Sequence, residues 1–75
     1  MKTERAVFTF GSTHHALKAE KILRAAQIRA EVIPVPRRIS SLCGLAVQVD
    51  KISREEAKKA LETAGVRVEG IYSDI

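Results

Sequence analysis

The sequence predicts an α+β sandwich, a four-stranded antiparallel sheet with two helices on one face, and three observations carry that reading. Two runs repeat apolar residues at spacings of three and four, as a helix with one buried side requires. Four shorter runs are built from residues that suit a pleated surface. Their order along the 75 residues is β-α-β-β-α-β, the order of the ferredoxin-like sandwich.

The first strand is expected over 5–10, where Val7, Phe8, Thr9 and Phe10 lead into Gly11. Ser12 and Thr13 can each accept a hydrogen bond from an amide of a first helical turn. Behind them Ala16, Ala19, Ile22, Leu23 and Ala26 follow at helical spacing, which predicts a helix over 13–27. The opposite side carries Lys18, Glu20, Lys21 and Arg24, a solvated face in which Glu20 and Arg24 can pair across one turn. The second strand is expected at Ala30–Pro34. The Pro34-Val35-Pro36 run puts it at a sheet edge, because proline cannot donate to a ladder on both sides.

After a long connection, Leu45–Asp50 alternates, with Leu45, Val47 and Val49 on one face. Ser53 and Glu56 read as an S-x-x-E capping box, and Glu55 with Glu56 places negative charge where a helix dipole is positive. Ala57, Ala60, Leu61 and Ala64 form the stripe of the second helix, which Gly65 is placed to end in a left-handed conformation. The last strand is expected over 67–72.

Length and composition bound the rest. The 75 residues, 45% hydrophobic and 29% charged, fit one folded domain over 1–75 and leave no room for a second. A chain this short buries only about 60% of its unfolded surface, so self-association into a homodimer would be a natural supplement. The edge of the last strand, near Tyr72, is one surface on which it could occur. The net charge of +4 is a mild surplus. A single cysteine excludes an intramolecular disulfide, which leaves Cys43 as a buried thiol, a reactive thiol or an intermolecular partner. No run approaches the ~20 apolar residues of a membrane helix, and 6–10 is too short for a signal-peptide core, so a cytoplasmic protein without a membrane partner is expected.

The topology gives the loops their meaning. With strand order 4-1-3-2 and right-handed crossovers, the first strand's end, the first helix's start and the 35–44 connection meet at one end of the sandwich. Gly11-Ser12-Thr13-His14-His15 is a helix amino end, where unpaired amides and the macrodipole favour an anion. Across from it the connection holds Arg37, Arg38 and Cys43, the last among Ser40, Ser41 and Gly44. Positive potential lowers a cysteine pKa from ~8.5 and favours the nucleophilic thiolate. The competing reading is a buried cysteine acting as a small hydrophobe, but its neighbours are serines and glycine.

Three segments carry a family resemblance: Phe8-Thr9-Phe10-Gly11-Ser12-Thr13-His14-His15-Ala16-Leu17-Lys18-Ala19-Glu20, Ile33-Pro34-Val35-Pro36-Arg37 and Ile39-Ser40-Ser41-Leu42-Cys43-Gly44-Leu45. Together with Glu69-Gly70-Ile71-Tyr72 they make the chain similar, over nearly its whole length, to a small bacterial family of sulfur/selenium carrier-like domains. The resemblance extends to Thr13, His14, Arg37, Cys43 and Gly44. It implies that Cys43 holds the sulfur or selenium, and that donor and acceptor proteins are the partners. On this reading Arg37 and the amides from Ser12 to His14 stabilise the bound anion as a persulfide or selenosulfide. The chain is then a non-catalytic carrier or accessory protein that needs no cofactor.

Other readings are weaker on the residues. A His14–Cys43 nucleophile and base pair lacks a third group to orient the imidazole. One cysteine and two adjacent histidines fall short of a closed metal site. The sheet lacks the exposed aromatics of RNA-recognition domains, since the third strand offers Leu45 to Val49 and the phenylalanines belong to the core, which argues against nucleic acid. The main alternative is a regulatory domain of the same fold, binding a small anion at the helix start and Arg37 without cysteine chemistry.

Overall fold

Along the chain run β1 (Arg5–Thr9), α1 (Thr13–Ala25), β2 (Ala30–Pro34), β3 (Leu45–Asp50), a 3-10 turn (Lys51–Ser53), α2 (Arg54–Thr63) and β4 (Gly70–Ser73). This is a computed structural model, and it describes residues 4–39 and 44–73. The strands form one four-stranded sheet in the order β2-β3-β1-β4 with every neighbour antiparallel. The fold is the expected α+β ferredoxin-like sandwich.

Register explains the core. Phe8 lies opposite Val47 on one side and Ile71 on the other, and Ala6 lies opposite Val49. These side chains share a face with Ala30 and Val32, and that face receives Ala16, Ala19 and Leu23 from α1 and Ala57 and Leu61 from α2. Phe8 and Phe10 are both fully buried there. The other sheet face is not bare: Val7 and Ala46 pack with Ile39 from the connection after β2, flanked by Ile33 and Val35.

The end of α1 differs from expectation, whereas Gly65 ends α2 in the left-handed conformation expected of it. α1 stops at Ala25 rather than 27, because Gln27 turns into the left-handed region at φ 63°. The Gln27 amide then donates to the Arg24 carbonyl and that of Ile28 to Leu23, both at 2.9 Å, a Schellman motif that drops Ile28 into the core beside Leu23. The end of α2 repeats it, with Gly65 at φ 76° and the Val66 amide donating to the Leu61 carbonyl at 2.9 Å. Ala26 and Ala64, expected in the buried stripes, are therefore exposed cap residues.

Two further boundaries move. The capping box does not form: the 3-10 turn feeds directly into α2, leaving Ser53 at φ −95°, ψ 3°, and its side chain caps nothing. The Arg54 amide is instead satisfied by the Lys51 carbonyl. β4 begins at Gly70 rather than 67, since Val66 is committed to the helix cap and only from Glu69, whose amide donates to the Thr9 carbonyl at 2.7 Å, does the chain join β1. The expected Glu20–Arg24 pair is present at 3.1 Å, and the Arg24 guanidinium also donates to the Ala30 carbonyl, tying α1 to the edge strand.

Candidate functional site at the start of α1

Two junctions leave the same end of the sheet. Thr9, the last residue of β1, lies opposite Ala46, and Pro34, the last of β2, lies opposite Leu45. The β1–α1 turn thus leaves β1, and the 35–44 connection runs from β2 into β3, the strand between them.

At the first junction Ser12 is extended, at φ −154° and ψ 157°, and caps α1. Its Oγ accepts from the His15 amide at 3.3 Å, and its carbonyl accepts from the Ala16 amide at 3.2 Å. No acidic residue occupies the first turn, so no carboxylate of that turn offsets the positive end of the helix dipole. Thr13, His14 and His15 are exposed, and the two imidazoles are tilted with centroids 6.2 Å apart.

At the second junction the Ile39 amide donates to the Pro36 carbonyl at 2.9 Å, closing a turn with Arg37 and Arg38 at its centre. Both are exposed, and among the described residues no carboxylate pairs with either. The side of the turn that faces the protein is held by Ile39, 7% exposed, against Val7 and Ala46. Sequence reasoning missed this anchor. Its only signal was an isolated apolar residue between Arg38 and Ser40.

Gly44 is exposed, and its carbonyl accepts from the Val35 amide at 3.0 Å. A Cβ built on it would meet nothing within 4 Å. Of the expected site residues, Ser12, Thr13 and His14 are together at the α1 start, and Arg37 and Gly44 belong to the connection that leaves the same end of the sheet. Among the described residues Arg37 makes no hydrogen bond to the helix start. Cys43, with Ser40, Ser41 and Leu42, lies outside the described residues.

Among the described residues there is no group of three or more His, Cys, Asp or Glu side chains able to hold a metal ion. No helix there is long and apolar enough to cross a membrane. The candidate site thus belongs to a small α+β domain in which a basic turn and a helix start without first-turn carboxylates both follow strands that end at one end of the sheet. The chain belongs to the family described as "Putative Se/S carrier protein-like", whose model matches residues 5–73. Neither a curated protein nor a solved structure gives a significant match.

Proposed function

We propose that this protein carries sulfur or selenium on Cys43 and passes it between a donor and an acceptor protein. The observation that carries the reading is a family match spanning residues 5–73 of a chain that contains one cysteine. Transfer needs no oxidant. The Cys43 thiolate attacks the terminal sulfur of a donor persulfide, the new bond forms between the two sulfurs, and the donor's own S–S bond breaks to release its thiolate. Passing the atom onward is the same exchange, with the acceptor thiolate as nucleophile and Cys43 as leaving group.

Arg37 and the first turn of α1 supply positive potential for the anionic sulfur. A first turn of α1 without a carboxylate and an Arg37 that has no ion pair among the described residues support that role. Incubating the protein with a cysteine desulfurase and cysteine, then taking its intact mass, should show the addition of one sulfur, lost on reduction. Cys43→Ser should abolish the adduct, and an adduct that persists in the variant overturns the reading. An anion that binds equally well to Cys43→Ser, with no adduct on the wild type, would favour the regulatory alternative.

A further inference from the structure

We propose that a second copy of this chain docks on the helix layer, with Ile52 of each copy seated in an apolar groove of the other. Ile52, in the turn leading into α2, is 93% exposed, against 45% for Leu17 and 37% for Tyr72, the other exposed large apolar side chains described. Leaving so large an apolar side chain in water is unfavourable, and among the described residues nothing covers it.

The receptor for it is on the same surface. A groove of about 530 Å³ runs between the helices, floored by Ile22, Ala25, Ala26 and Ile28 from α1 and its exit and by Ala60 from α2. Three of the five are alanines, which let another element approach closely. Glu56 and Lys59 also line it, and among the described residues neither has an ion-pair partner within the chain.

What selects a second copy over another partner is self-complementarity. Glu56, Lys59 and Thr63 follow at spacings of three and four, so they share one side of α2, and Ile52 lies in the 3-10 turn that leads into it. Two α2 helices set antiparallel about a twofold axis between Glu56 and Lys59 bring Glu56 of each copy to Lys59 of the other, as an isologous interface requires. The same axis brings Ile52 of one copy opposite Thr63, at the groove, of the other. The domain is also small, and α2 commits only Ala57 and Leu61 fully to its own core, so covered apolar surface adds a large fraction to its stability.

The test is sedimentation equilibrium of the full chain under reducing conditions, which removes any disulfide through Cys43. A concentration-dependent dimer is expected. Ile52→Asp should raise its dissociation constant at least about tenfold while leaving the far-ultraviolet circular dichroism unchanged, since the side chain is exposed. Glu56→Lys and Lys59→Glu should each weaken the dimer, and the double variant should restore it. A monomer at all accessible concentrations, a dimer indifferent to Ile52→Asp, or a double variant as weak as the single ones overturns the proposal. A monomer that binds a different protein through the groove overturns it in favour of that partner.

Discussion

The Val35 amide donates to the Gly44 carbonyl across 3.0 Å, one step past Pro34 and Leu45, the last register pair of β2 and β3. The connection between those strands is thereby closed at its neck by a ladder-type bond. It is held a second time where Ile39 reaches the helix-free face of the sheet. A ten-residue connection is thus fastened at two described points.

Ile39→Ala should therefore destabilise the fold although the residue lies in a loop. Deleting a buried isoleucine side chain of this kind costs about 2 kcal/mol or more. Urea denaturation should show the midpoint falling, and an unchanged midpoint would mean that the cluster of Val7, Ile39 and Ala46 contributes nothing.

The two serines that precede the helices should behave unequally. Ser12→Ala removes the bond accepted from the His15 amide and should cost about 1 kcal/mol. Ser53→Ala removes no cap and should stay within about 0.5 kcal/mol, a difference readable in paired denaturation curves.

Gln27 and Gly65 occupy equivalent left-handed positions after their helices. Gln27→Gly should stabilise the protein by about 0.5–1 kcal/mol, relief of the side-chain clash outweighing the added freedom of the unfolded chain. Gly65→Ala should destabilise by about 1 kcal/mol, and purely through the backbone, since its Cβ would meet nothing within 4 Å. Melting temperatures moving in the same direction would contradict one of the two assignments.

Arg37→Gln separates stability from transfer. The side chain is exposed and without an ion pair among the described residues, so stability should change by no more than about 0.5 kcal/mol. If the guanidinium stabilises a sulfur anion on Cys43, removing its charge should cost on the order of 1 kcal/mol and slow sulfur loading roughly fivefold. Loading followed by intact mass at equal times gives the ratio, and equal rates would remove Arg37 from the site.

Local patterning alone sufficed for much of this protein. The bounds of β2 and β3 match expectation because proline and strict alternation are properties of adjacent residues. The strand order follows from element order and crossover handedness. Ser12 was legible as a cap of α1, since a hydroxyl residue follows Gly11 where the strand run stops. The break after α2 was legible in Gly65, but that after α1 was not. Nothing local tells Gln27 to leave α1, because glutamine is a good helix former, and the turn exists only because Ile28 must reach Leu23 in the core. Ser53 has the residues of a capping box but not the backbone, since the 3-10 turn between β3 and α2 sets its dihedral angles. Ile39 gave no periodic signal, as a lone apolar residue in a loop gains meaning only when a sheet face lies beneath it. Short-range chemistry determined which elements form and the bounds of β2 and β3; the end of α1, the start of β4 and the loop residue that is pinned were decided by packing in the assembled fold.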